Sequence, residues 1–311
     1  MHNMTSSESA NEWMRAMRRG NWEAAWRISD RICEERRRLG PRHARTEQWL
    51  PRHLQSIWDG SPVAGKRVLV QCHHGLGDTI QFVRFVPLLK RRAAHVTVVG
   101  QAQLLPLLET VDGVDGLLRL DDESCAVRRD VDIEIMELPH ALRTTLMTLP
   151  ATVPYLHVES KGQPGVRLHP RVGLVWQSGS WDVTRSVAPA LLERLTELEG
   201  IDFRILQRGP GLDSWTARAG QVPLIHNILD EAVELSRLDL LICVDTLSAH
   251  LAGALGVPTW TLLPLRADWR WMEEREDTPW YPTMRLFRQS RAGDWESVIA
   301  RVRHELERRF F

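Results

Sequence analysis

From residue 66 onward, short apolar runs alternate with longer stretches whose apolar residues recur at helical spacing. RVLVQC (67–72), HVTVVG (95–100), GLLRL (116–120) and VDIEIM (131–136) have strand length and aliphatic or β-branched character. The intervening stretches 78–92, 101–110 and 137–148 predict helices, the first continuing through Pro87. After residue 170 the rhythm restarts. RVGLVW (171–176), DFRILQ (202–207), DLLICV (239–244) and PTWTLL (258–263) predict strands, with helices near 188–199, 229–237, 246–255 and 294–309. Short apolar strands separated by helices imply βαβ units and a parallel sheet covered on both faces. Residues 150–170 carry Pro150, Pro154, Gly162, Pro164, Gly165 and Pro170 and read as an interdomain linker. The expectation is therefore an α/β chain of two Rossmann-like αβα domains, 61–160 and 161–311. Their strand ends would face each other across a ligand cleft.

Residues 10–58 are different. Trp13, Met17, Trp22, Ala25, Trp26, Ile28 and Ile32 form an apolar stripe at helical spacing, interrupted at Gly20-Asn21. This predicts an N-terminal helical hairpin within an appendage of residues 1–60, ending at Gly40-Pro41. A single hairpin resembles one tetratricopeptide-type unit, without the further copies that a solenoid needs. It could offer a protein contact; the simpler expectation is that its Trp stripe packs on the next domain.

Composition narrows the function classes. Lys+Arg and Asp+Glu are both 40, for a formal net charge of zero, which argues against a general nucleic-acid binder. The four cysteines, Cys33, Cys72, Cys125 and Cys243, are far apart and form no CxxC pair. Neither a disulfide framework nor a zinc site is expected, and a reducing cytoplasm fits. The N-terminus shows no signal-peptide h-region, and no apolar run reaches the ~18 residues of a membrane span.

Polar clusters gather where predicted strands end. HHGLGDT (73–79) follows the first strand. Gly75 and Gly77 suit a tight turn with close backbone approach or positive φ, and Asp78 opens the helix as a candidate proton acceptor or a simple cap. His73 and His74 flank it. CVDTLSAHLAGALG (243–256) sets Asp245, Thr246, Ser248 and His250 at the start of a helix, where amide groups and the helix dipole favour a phosphate. The alternative is that Asp245 or Thr246 only caps and that His250 is a core histidine. WQSGSWDVTRSVAP (176–189) is a polar loop with one cation, Arg185, suited to bidentate phosphate contact. PLRADWRWMEEREDTPWYPTMRLFRQ (264–289) interleaves aromatics with charges. A ring there could stack a base, and core packing is the commoner use. Asp130-Val131-Asp132 is a D-x-D. Asp132 and Glu134 alternate with apolar residues, so they are expected on a half-exposed face at the wrong strand end, with no metal role.

GLGDTIQFVRFVPLL, VDTLSAHLAGALGVP and DWRW…REDTPWYPTMRLFRQ resemble the ADP-heptose heptosyltransferase family of glycosyltransferases, in its branch often fused to tetratricopeptide repeats. The resemblance spans roughly residues 60–305. It implies a GT-B fold, with acceptor held by the first domain and donor by the second, and inverting, metal-independent transfer of a sugar, ADP-heptose being the expected donor. It implies no cofactor. Asp78 matches the family's proposed general base, with His74 beside it. Gly75, Gly77, Gln177, Arg185, Gln207, Asp245, Thr246, Ser248, His250 and Trp269 form the implied donor set. The sequence departs from the branch at His73-His74, where Glu-Gln is usual, and in having one hairpin rather than a repeat array. Other readings are a transferase using another donor, such as UDP-N-acetylglucosamine, on a protein acceptor, or a silent nucleotide-sugar-binding scaffold. The acceptor, whether glycolipid, protein or small molecule, is not legible.

Overall fold

A computed structural model of the 311-residue chain describes residues 6–39, 58, 60–122, 128–159, 167–179, 182–216 and 219–311. The expected helix stop at Gly40-Pro41, Cys125 and part of the 150–170 linker lie outside the described residues. The chain forms two compact units: Met1–Pro150 with Asp268–Glu273, and Ala151–Ala267 with Glu274–Phe311.

In the first unit, α1 (Ser6–Arg18) and α2 (Trp22–Leu39) form the hairpin, turning at Gly20 with φ 72°. Met17, Trp22, Ala25 and Trp26 are buried. Trp26 donates its indole N–H to the Thr144 carbonyl at 2.6 Å, and Trp13 meets Trp269 edge-on at 5.2 Å. Asp30 accepts both Arg143 terminal nitrogens, at 2.8 and 2.7 Å. The Trp stripe is thus spent on packing against the rest of its own unit, including the short segment 268–273.

The four-stranded sheet follows, with β1 (Arg67–Gln71), β2 (His95–Gly100), β3 (Gly116–Arg119) and β4 (Val131–Glu134), all parallel in the order β3-β2-β1-β4. Between β1 and β2, the single helix expected over 78–92 is three shorter pieces: α3 (Leu76–Phe82), a 3-10 turn (Val83–Phe85) and α4 (Val86–Lys90). Pro87 has no N–H to give to the preceding turn, so it starts a helix rather than continuing one. Pro106 does the same in α5 (Leu105–Leu108), and Pro139 in α6 (Leu138–Ala141). The helix expected over 137–148 accordingly ends early, with Arg143 in the left-handed region at φ 55°.

The second unit has a five-stranded parallel sheet: β5 (Arg171–Val175), β6 (Asp202–Ile205), β7 (Leu240–Val244), β8 (Thr259–Leu263) and β9 (Met284–Arg288), in the order β6-β5-β7-β8-β9. Its helices include α7 (Pro189–Glu193), α8 (Pro210–Asp213), α9 (Ile228–Ser236), α10 (Leu247–Ala254) and α11 (Trp295–Phe310). Sequence patterning did not anticipate β9; MRLFR lay inside the aromatic-rich stretch weighed for base stacking. Trp271, Trp280, Tyr281 and Phe287 are all buried, so core packing is the use the structure shows. β7 and β8 are buried at every position, as central strands of a doubly covered sheet must be.

Helix α10 is buried from Ser248 to Ala254, and small residues let it approach so closely. A Cβ on Gly253 would lie 2.4 Å from the Tyr281 ring. Gly253→Ala is therefore expected to destabilise the second unit by about 1–3 kcal/mol through overpacking, lowering its melting temperature by several degrees in a thermal scan. An unchanged melting temperature would mean that the Tyr281 ring yields freely.

Candidate active site

In each sheet the strand order reverses at one place, between β1 and β4 in the first and between β5 and β7 in the second. Successive crossovers leave in opposite directions there. The carboxyl ends of the two central strands are then not roofed by a connection, and open α/β sheets bind ligands at such points. Of the polar clusters read from sequence, 73–79, 176–189 and 243–256 lie at these two places, and 264–289 follows β8.

In the first unit, register pairs Gln71, the last residue of β1, with Glu134, the last of β4. Beyond Gln71 the chain runs through Cys72, His73 and His74 into α3. Gln101, just past β2, braces this turn: its amide donates to the carbonyls of Cys72 (3.1 Å) and His74 (2.8 Å) and its oxygen accepts from the Thr79 hydroxyl (3.0 Å). His73 Nε2 lies 3.2 Å from Gln71 Oε1. Gly75 caps α3 with φ −66°, so positive φ is not its purpose, and Gly77 is likewise outside the left-handed region. Asp78 is the third helical residue and reaches back to accept the Gly75 N–H at 3.0 Å. Its other oxygen accepts from Arg270 Nη2 at 2.6 Å.

Arg270, 192 residues away in sequence, had no local signal beyond being a cation among aromatics. It also donates to Gln81 Oε1 at 2.8 Å and Asp268 Oδ1 at 2.8 Å, and its guanidinium lies 4.6 Å from the Trp269 ring centroid. Trp269, expected with the donor residues, belongs by this packing to the first unit.

Glu134 is the larger correction. Expected on a half-exposed face at the wrong strand end, its side chain is fully buried at the carboxyl end of β4, the same end as Asp78. One oxygen accepts the Met136 N–H at 2.7 Å; the other lies 3.9 Å from His74 Nε2. Burial pushes the Glu134 carboxyl up to about 8, partly opposed by backbone N–H groups of Met136 and His73 and reinforced by the Glu137 and Asp78 carboxylates. Burial also lowers His74, against the raising field of Asp78 and with the lowering field of Arg270. The alternation of VDIEIM hid this: the strand stops at Glu134 and a 3-10 turn begins.

In the second unit, Arg185 ends a 3-10 turn, Val183–Arg185, beyond β5, and Asp245 follows β7. Both are buried, with Arg185 Nη1 3.4 Å from Asp245 Oδ2. Losing one partner of such a pair strands a buried charge and costs about 3–5 kcal/mol. His250 Nε2 is 4.0 Å from Asp245 Oδ1, while Nδ1 is 2.9 Å from the Tyr281 hydroxyl. Thr246 is the N-cap of α10, yet its side chain makes no capping hydrogen bond. Ser248 donates instead to buried Glu231 at 2.5 Å, and Arg208 Nη2 donates to the same carboxylate at 2.6 Å. The hydroxyl considered for phosphate is thus committed to a buried carboxylate. Burial raises the Glu231 carboxyl, while Ser248 and Arg208 oppose the shift. Gln207 accepts the N–H groups of Trp176 (3.0 Å) and Gln177 (2.8 Å), which fixes the loop after β5. Gln177 itself is exposed.

Among the described residues, no group of three or more His, Cys, Asp or Glu side chains could hold a metal ion, and no helix is long and apolar enough to cross a membrane. Cys33, Cys72 and Cys243 are buried.

Solved structures share this architecture. A glycosyl transferase family 9 structure from Veillonella parvula matches with a TM-score of 0.54 over 80% of this chain and 91% of its own, at 13% identity. The chain has a GT-B glycosyltransferase fold. ADP-heptose lps heptosyltransferase II of E. coli (TM-score 0.56, 12% identity) and E. coli heptosyltransferase WaaC with ADP (0.53, 12%) each cover 78% of this chain and 98% of their own. At such identities the likeness is one of fold. Protein FlbA of Caulobacter vibrioides is 26% identical over 292 residues, covering 79% of this chain and 47% of its own. The chain therefore spans about half the length of that curated relative. No family model matches.

Glu134 gives this fold a pH signature. Its carboxyl is raised from 4.5 to about 8, so the folded state holds the proton more tightly than the unfolded chain. The stability it contributes is complete below about 4.5 and is lost as pH rises through about 8. Glu134→Gln, neutral at every pH, is expected to gain stability relative to wild type between pH 5 and pH 9, by on the order of a few kcal/mol. Denaturant melts across that range measure it. A constant offset between the two proteins would remove Glu134 from the titration.

Proposed function

We propose that the chain is an inverting glycosyltransferase that moves a sugar from a nucleotide diphosphate donor to an acceptor hydroxyl, with ADP-heptose as the favoured donor. The observation that carries this reading is that the two polar clusters occupy the two strand-order reversals, one supplying proton acceptors and the other a cation beside an uncapped helix start. The heptosyltransferase neighbours, one solved with ADP, support the choice of nucleotide.

Departure of the diphosphate develops negative charge. Arg185 would meet it with paired N–H donors, and the first-turn amides of α10 would add their dipole, an electrostatic role that needs no metal. Asp245 holds Arg185 in place, and Thr246 keeps its hydroxyl for the ligand. At the other cluster the acceptor hydroxyl would lose its proton to the Asp78–His74 pair, a step worth ~10²–10⁴-fold. No resident cofactor enters this scheme.

The test separates binding from chemistry. Asp78→Asn is expected to lower transfer from ADP-heptose by ~10²–10⁴-fold while ADP affinity by calorimetry stays within twofold. Arg185→Lys keeps the charge that Asp245 requires but loses the planar fork, so ADP binding should weaken about tenfold. Titration with ADP, UDP and GDP identifies the nucleotide. Tight binding with no transfer to any acceptor and no donor hydrolysis would leave a nucleotide-sugar-binding scaffold.

A further inference from the structure

We propose that Glu134 is a positioning residue for His74: its buried carboxyl holds the imidazole at the tips of β1 and β4 so that the ring receives the proton leaving the acceptor hydroxyl. This rests on the glycosyl-transfer reading and divides its proton chemistry among named groups.

Two observations carry it. Asp78 has both carboxylate oxygens engaged, one by the Gly75 N–H at 3.0 Å and one by Arg270 at 2.6 Å. Behind His74 lies a wholly buried carboxyl whose Oε1 has no hydrogen-bond partner and sits 3.9 Å from Nε2. A buried acceptor left unsatisfied costs about 1–3 kcal/mol. A rotation of the half-exposed ring that brought Nε2 within hydrogen-bond reach would satisfy it. The His74 backbone is already fixed, since Gln101 holds its carbonyl at 2.8 Å.

The arrangement assigns each atom. With Nε2–H directed to Glu134, Nδ1 is the nitrogen that takes the acceptor proton. The hydroxyl oxygen's electron pair forms the new bond to the anomeric carbon, and the old bond to the diphosphate oxygen breaks with its pair leaving on the phosphate. The resulting imidazolium is stabilised by Glu134 behind it and by the field of Asp78. The other charged and titratable groups acting on this pair are Arg270, which opposes imidazolium, Glu137, which disfavours the Glu134 carboxylate, and the Cys72 thiol, held neutral by burial.

The first arm of the test uses the intact chain without substrate. Ring resonances of His74, assigned by their loss in His74→Gln, are followed from pH 5 to pH 10. Two steps are expected, one from the imidazole itself and one centred near 8 as Glu134 ionises. Glu134→Gln should abolish the second step, and Glu134→Asp should keep it at a shifted midpoint. A single step in wild type, or a second step that persists in Glu134→Gln, would overturn the proposal. Should the Gln variant fold poorly, the shifted midpoint in the Asp variant decides.

The second arm follows ADP-heptose turnover against pH. Glu134→Gln should lower kcat about 10- to 100-fold, leave KM for the donor unchanged and flatten the rise through pH 8. An unaltered profile overturns the positioning role while transfer stands. Absence of turnover in wild type, with the two-step titration intact, rejects the transferase reading and leaves the coupled pair.

Discussion

The placement of β1 beside β4, and of β5 beside β7, is the constraint on which the candidate chemistry depends. Parallel strands must be joined by crossovers, and when consecutive crossovers leave to opposite sides, the strand tips between them stay uncovered. Backbone pairing therefore decides where a ligand can reach main-chain amides. It brings Gln71 level with Glu134, and Val175 level with Cys243 two residues before Asp245. Residues far apart in sequence become neighbours because their strands do.

Burial then sets the electrostatics. The polar groups at these tips sit at the end of an apolar core, and desolvation sends each along one of two routes. Arg185 with Asp245, and Arg208 with Glu231, set a guanidinium against a carboxyl, and at Glu231 the guanidinium opposes the upward push of burial. Glu134 has an imidazole 3.9 Å away and no cation among the groups that shift it, and burial with the Glu137 and Asp78 carboxylates raises its carboxyl to about 8. A group that titrates near neutrality can exchange protons with a substrate at little cost. The two tips are accordingly suited to different tasks: fixed charge at one, proton exchange at the other.

Packing at the N-terminal hairpin obeys the same economy. Trp22 and Trp26 are buried and Trp13 is partly buried, and the indole N–H of Trp26 is satisfied by a main-chain carbonyl. Through Trp13 and Trp269 this packing reaches the segment that carries Arg270, so the cation gripping Asp78 rests on a platform of aromatic rings.

The periodicity of apolar runs was enough, by itself, to determine the α/β character, eight of the nine strands among the described residues and the polar ends of β1, β5 and β7, because strand length and aliphatic character are local properties. It also marked Asp245, directly after such a run, and the polar stretches beyond two others that hold Asp78 and Arg185. Tertiary structure alone decided the rest. Whether a proline interrupts a helix or opens one depends on where the preceding turn ends, as Pro87 and Pro139 show. Whether a carboxylate in an alternating strand meets water or core depends on which residue ends the strand, as Glu134 shows. That Trp269 and Arg270 belong with α1 and α3, far away in sequence, follows from packing that no window of sequence contains.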